Sequence, residues 1–193
     1  MTRAVVTLIL VGLNLAVFLF ELRLGSADID GFVRRWGLVP SDIRQSPTAA
    51  ITLLTSTFIH AGWLHVSANL IYLGVFGTRV ERIVGHLRFA ALYLVSGLVG
   101  SLTYLLAQPN SQTPAVGASG AIAGLIAAHL VLFLHVVEST PTLLLLLVWL
   151  AAQVLSSVAS LTTTTGIAWW AHVGGFVAGL VLAPALRKQR MVN

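Results

Sequence analysis

Gly117-Ala118-Ser119-Gly120 stands where a polar, proline-bearing loop, residues 108–114, gives way to a long apolar run that continues to Val137. A serine opening such a run lies on the first turn of a helix. There, unpaired backbone N–H groups and the positive end of the helix dipole favour a negative oxygen. The position suits a nucleophile and equally suits an ordinary helix cap. Residues far away in the sequence have to decide between the two.

Composition narrows the setting first. The chain has 193 residues, of which 57% are hydrophobic and 9% charged, and its mean hydropathy is +0.92. That leaves too little polar surface for a water-soluble globule and predicts an integral, all-α membrane protein. At roughly 20 residues per span the length allows about six spans, so one membrane domain over 1–193 is expected. With no cysteine, disulfides, thiolate metal sites and cysteine nucleophiles are excluded. The formal charge of +5 does not point to nucleic acid, because the basic residues gather at the ends of apolar runs.

The apolar runs predict spans at about 4–22, 65–80, 87–107, 119–137, 141–159 and 169–186. The first is too long for the apolar part of a leader and carries Asn14 and Glu21, which can pack against other helices. Residues 23–62 form a long loop of mixed charge. Within it the apolar stretch Ala49 to Ile59 is too short to span and predicts a partly inserted helix, with Trp36 and Trp63 as headgroup anchors. Thr140-Pro141 has the chemistry of a helix start. With the N-terminus inside, Arg3, Arg79, Arg82, Arg88, Arg187, Lys188 and Arg190 face Glu81 and Glu138 on the inner side, whereas the outer arginines are balanced by acids. The excess of inner cations predicts that both termini are cytoplasmic in a plasma or inner membrane.

In that topology Ser119 opens the fourth span, His65 and Asn69 open the second, and His172 lies in the first turn of the sixth, all at the outer end. Polar side chains inside spans are costly and mark function by default, although His65, Asn69 and His172 could equally join helices by hydrogen bonds. Gly120 and Gly124 on one helix and Gly175 and Gly179 on another are small residues four apart. If those faces meet, the backbones approach closely and Ser119 comes beside His172, as a nucleophile and its base require. Packing alone would also account for the glycines. His65 and Asn69, four apart on one face, together with the Ser119 amide, could form an oxyanion hole. No Asp or Glu is expected at this depth to orient His172, which predicts a dyad. A metal site from His60, His65 and His172 is disfavoured because no carboxylate is expected near it, and no cofactor is expected. His129 and His135 are assigned packing or inner-end positions.

These residues together resemble the rhomboid family of intramembrane serine proteases. The resemblance runs through Trp36-Gly37-Leu38-Val39-Pro40, residues 55–69 (TSTFIHAGWLHVSAN), residues 77–85 (GTRVERIVG), Gly117 to Gly120, and residues 171–175 (AHVGG). It implies a six-transmembrane-helix bundle with a long, partly inserted first loop. Ser119 would be the nucleophile, His172 the base, His65, Asn69 and the Ser119 amide the oxyanion donors, and Gly117 a structural residue beside them. Substrate would arrive laterally near the fifth span. One departure concerns the residue four after the serine: many relatives carry an aromatic there that packs on the histidine, and this chain has Ala123.

The resulting expectation is an endopeptidase that cleaves transmembrane or juxtamembrane segments whose helices are easily unwound, with the lipid bilayer as its other partner and no nucleic acid or metal. A non-catalytic relative that binds or escorts membrane helices is the alternative. A small transporter is disfavoured by the absence of charge in the span interiors and of an internal repeat.

Overall fold

The computed structural model describes residues 3–133, 139–159 and 168–186. Among them the regular structure is helical apart from one isolated antiparallel bridge, Leu38 to Ala115. Helix α1 (Val5–Glu21) buries Thr7, Leu10, Asn14, Phe18 and Glu21. Their three- and four-residue spacing is one stripe, and Leu8, Ile9 and Leu13 on the other faces stay exposed. The expected long loop contains two further helices, α2 (Ser26–Trp36) and α3 (Pro40–Gln45). It continues as a tight 3-10 helix (Pro47–Ile51), the single turn α4 (Thr52–Thr55) and another 3-10 turn (Ser56–Phe58).

After a turn at Gly62 the chain forms α5 (Trp63–Tyr72), a π-helical turn (Leu73–Gly77) and α6 (Thr78–Val84) without a break. Thr48–Phe58 and Trp63–Val84 are bent by 79° relative to one another. The helix expected as the second span therefore begins before His65 and does not stop at Val80. Arg79, Glu81 and Arg82 fail to end it because two of them are used inside the protein: Glu81 is fully buried, and the Arg79 guanidinium lies 5.6 Å over the Phe133 ring.

Helices α7 (His86–Ala107), α8 (Ser119–Leu132), α9 (Thr140–Ala159) and α10 (Trp169–Leu186) complete the chain. The expected fourth span is described only to Leu132, with Phe133 closing the helix; the rest of it, His135 included, lies outside the described residues, as do the tail cations Arg187, Lys188 and Arg190. The fifth helix starts one residue earlier than expected. The Ser139 carbonyl accepts from the Leu143 N–H and its hydroxyl bonds Thr142 at 2.9 Å, which leaves Thr140 inside the helix.

Among the described residues two helices, His86–Ala107 and Trp169–Leu186, are by themselves long and apolar enough to cross a membrane, and the bent pair makes a third when taken as one span. Val5–Glu21, Ser119–Leu132 and Thr140–Ser156 are apolar but shorter. Helix α8 has 14 residues, about 21 Å of length against a hydrocarbon core of about 30 Å. It is wrapped by protein instead of lipid: every residue from Gly120 to His129 is buried.

Close approach of α7, α8 and α10 comes from glycine. A Cβ at Gly175 would collide with the Gly120 carbonyl, one at Gly179 with the Gly124 carbonyl, and one at Gly100 would lie 2.5 Å from the Ala171 carbonyl. These contacts are to backbone, which cannot step aside. They set the height of α10 against α8, and so the height of His172 against Ser119.

A second constraint ties α1 to α6. The buried Glu81 carboxylate accepts from the Val6 N–H at 2.9 Å, the Thr7 N–H at 2.8 Å and the Thr7 hydroxyl at 2.6 Å, and it pairs with His86 Nδ1 at 2.6 Å. An anion thus closes the amino end of α1 from another helix. Glu81→Ala leaves buried donors without acceptors, and a loss of roughly 2–4 kcal/mol is expected. Denaturation of the two proteins in the same detergent, followed by circular dichroism, measures it; a change within about 0.5 kcal/mol contradicts the role.

Candidate active site

The loop that delivers Ser119 is pinned from both sides. Leu38 and Ala115 exchange backbone hydrogen bonds of 3.0 and 2.8 Å, and the Gly117 N–H donates to the Ser56 carbonyl at 2.9 Å. Gly117 adopts φ +115°, a conformation side chains resist. A Cβ there would also lie 2.6 Å from His65 Nε2. Two independent reasons therefore require glycine immediately before Ala118 and Ser119.

Ser119 is the first residue of α8, and the N-cap position before it belongs to Ala118. Ser119 Oγ is instead 2.7 Å from His172 Nε2, so the cap explanation does not describe this serine. The first N–H groups of α8 have no helical acceptor, as at any helix start, and they lie beside the same hydroxyl.

His65 and Asn69 come from α5, one turn apart. The Ala61 N–H donates to His65 Nδ1 at 3.3 Å, and Asn69 Nδ2 donates to the His65 carbonyl at 2.9 Å. The second Asn69 N–H remains available. Both side chains lie against Gly117, with Asn69 Nδ2 at 3.8 Å from the Cβ position. His65, Asn69, Ser119 and His172 all line one cavity of about 920 Å³, which extends between α5 and α9 past Trp63, Tyr72 and Trp149. The four side chains come from three helices, and the glycine contacts bring two of those helices together.

Two expectations change. A carboxylate does lie near the histidine group: Glu21 accepts from the His60 N–H, with both oxygens at 3.2 Å. It reaches His60 because the turn at Gly62 folds back onto the end of α1, where Trp63 meets Phe18 edge-on at 5.0 Å between ring centres. Among the described residues, no three His, Asp or Glu side chains are nonetheless placed to hold a metal ion. His60 Nδ1 is 3.2 Å from the Phe58 carbonyl.

The other change is at His172 itself. Its Nδ1 is 2.7 Å from Oε1 of Gln153 on α9. Sequence reasoning looked for an acid in this position and passed over the amide. The signal was present, because Gln153 is the one strongly polar side chain between Leu143 and Leu155.

The arrangement can activate an alcohol. A neutral imidazole accepts the Ser119 proton at Nε2, and N–H donors from α5 and α8 face the same cavity. His129, fully buried in the last turn of α8, is elsewhere: its ring stacks on Phe133 and meets Phe76 edge-on.

Comparison with known proteins agrees with this architecture. The Rhomboid domain family matches residues 47–189. RHOMBOID-like protein 5 of Arabidopsis thaliana is 38% identical over 133 residues, covering 67% of this chain and 42% of that protein. Rhomboid protease GluP of Bacillus subtilis is 30% identical over 176 residues, 89% of this chain and 32% of its own. Inactive rhomboid protein 1 of Drosophila melanogaster is 35% identical over 96 residues, 50% of this chain and 7% of its own. The chain thus spans less than half the length of each of these three relatives. On the family match over most of its length, and on apolar helices suited to a lipid bilayer, the chain belongs to the rhomboid family of membrane proteins.

Proposed function

We propose that this protein is an intramembrane serine endopeptidase, a rhomboid-type domain of six spans with both termini on the cytoplasmic side. The observation that carries the proposal is the 2.7 Å hydrogen bond between Ser119 Oγ and His172 Nε2 at the wall of a cavity that α9 also lines. GluP, a relative named as a protease, supports the same activity class.

As Ser119 Oγ bonds to the substrate carbonyl carbon, its proton passes to His172 Nε2. The carbonyl oxygen becomes an anion that the Ser119 amide, His65 and Asn69 face. Collapse breaks the C–N bond, and the leaving amine takes the proton from Nε2. Water then attacks the serine ester, gives a proton to Nε2, and the second collapse returns it to Oγ. The substrate segment has to unwind first, since the backbone of a helix in lipid has its hydrogen bonds satisfied internally. Helix-breaking residues near the cut favour cleavage for that reason.

The test is a membrane-spanning reporter reconstituted with the protein in vesicles, with products sized by mass spectrometry. Wild type is expected to cut once near the outer end of the reporter helix and Ser119→Ala not at all. Intact reporter with folded wild type contradicts the proposal and favours a non-catalytic helix-binding protein; the Drosophila relative is named as inactive.

Asn69→Ala is expected to lower turnover by about 10²–10³ while KM changes little, because the donor acts on charge that exists only in the transition state. Unchanged turnover removes Asn69 from the oxyanion site.

A further inference from the structure

We propose that Gln153 is the positioning residue of His172, holding the imidazole in the tautomer and orientation that the base requires. The inference rests on the protease function proposed above and adds a third member to the pair.

A neutral histidine has one ring nitrogen that donates and one that accepts, and the partner of the first decides the role of the second. With Nδ1–H donating to Gln153 Oε1 at 2.7 Å, Nε2 carries the lone pair and faces the Ser119 hydroxyl at 2.7 Å. Both in-plane directions of the ring are then engaged, one by α9 and the other by α8. Rotation of the ring breaks both bonds at once.

Among the described residues no aromatic ring packs against the His172 imidazole, so the hydrogen bond to Gln153 is the restraint on its Nδ1 side. A glutamine facing lipid in a leucine-rich span would be costly; this one is half-buried and lines the cavity with His172.

Among the described lining residues the other titratable groups are His65 and Tyr72, and none is a carboxylate or a fixed cation. The imidazole therefore takes up its proton during the reaction against a neutral amide dipole. A carboxylate in the same place would stabilise the protonated ring directly.

The same bond also links α9 to α10, and a purely structural strut would have identical geometry. The rate at which a small fluorophosphonate labels Ser119 separates the two roles, because that probe needs an activated serine and no transmembrane substrate passing α9. Rates would be measured across a pH series on the full chain in detergent, for wild type, Gln153→Leu and Gln153→Glu, alongside the melting temperature of each.

Gln153→Leu is expected to slow labelling by about 10- to 100-fold, part of the factor that a positioned base contributes. Gln153→Glu restores the acceptor. It is expected to label readily at neutral pH, with the acid limb of its profile displaced upward by on the order of one pH unit. Should the leucine variant not fold, Gln153→Met, which keeps the length of the side chain and removes the acceptor, takes its place in the same rate measurement. Labelling of Gln153→Leu at the wild-type rate, or an acid limb unmoved in Gln153→Glu, overturns the positioning role and leaves the protease function standing. Wild type that takes no label overturns the function itself.

Discussion

His172→Ala is expected to reduce proteolytic turnover by about 10⁴-fold or more while the protein stays folded. Removing the base from a serine–histidine unit disables the nucleophile with it, so the loss exceeds that of a single hydrogen bond and does not add to the loss from Ser119→Ala. The fold is expected to tolerate the change because His172 lies at the cavity wall and its two side-chain partners, Ser119 and Gln153, both line the cavity, where water can replace it. Steady-state cleavage of the reporter, with a melting curve for each variant, measures both halves of this expectation. A His172→Ala protein with more than about a tenth of wild-type turnover contradicts the role of base.

Gly175→Leu is expected to have the largest effect on folding. The side chain would have to occupy the space of the Gly120 backbone, at the point where α10 meets α8. Overpacking a core against side chains costs about 1–3 kcal/mol; here the obstacle is main chain, the helices must separate, and a greater loss is expected. Gly12→Ala is the control, since a Cβ at Gly12 meets nothing within 4 Å. On α1 that change gains up to about 1 kcal/mol of helix propensity. Thermal denaturation in detergent compares them, and a Gly175→Leu protein that melts with wild type contradicts the glycine contact as the organiser of the bundle.

Much of this geometry was legible before any coordinates. The four-residue glycine spacings on α8 and α10 imply close backbones, and close backbones place the two helix starts, Ser119 and His172, side by side. The long first loop was less transparent. Its α2 has an apolar stripe at Ile29, Phe32, Val33 and Trp36, but the charges between them, Asp28, Asp30, Arg34 and Arg35, hide it from any measure of mean hydropathy. The π-helical turn at Leu73–Gly77 left no comparable mark; Thr78 bonds back to the Gly74 carbonyl there. Thr7 of α1 presses on Gly77, where a Cβ would lie 3.1 Å from its methyl group.

Charge misled at the end of the second span. Arg79, Glu81 and Arg82 read as an aqueous boundary, whereas Glu81 is an internal cap for another helix and its chemistry becomes visible only when α1 is beside it. Gln153 was missed for the opposite reason. An amide carries no charge, so a search for acids to orient His172 passed it by, although its isolation among leucines was the available clue. Distant residues that meet only in the folded chain, such as Glu21 and the His60 amide, had no sequence signal at all.

The most direct test of the central claim is whether Ser119 is an activated nucleophile. The full chain in detergent would be treated with a fluorophosphonate and the adduct located by mass spectrometry, beside Ser119→Ala and His172→Ala. The expected result is one adduct, on Ser119, absent from both variants. Folded wild type that remains unmodified, or an adduct that persists without His172, would contradict it.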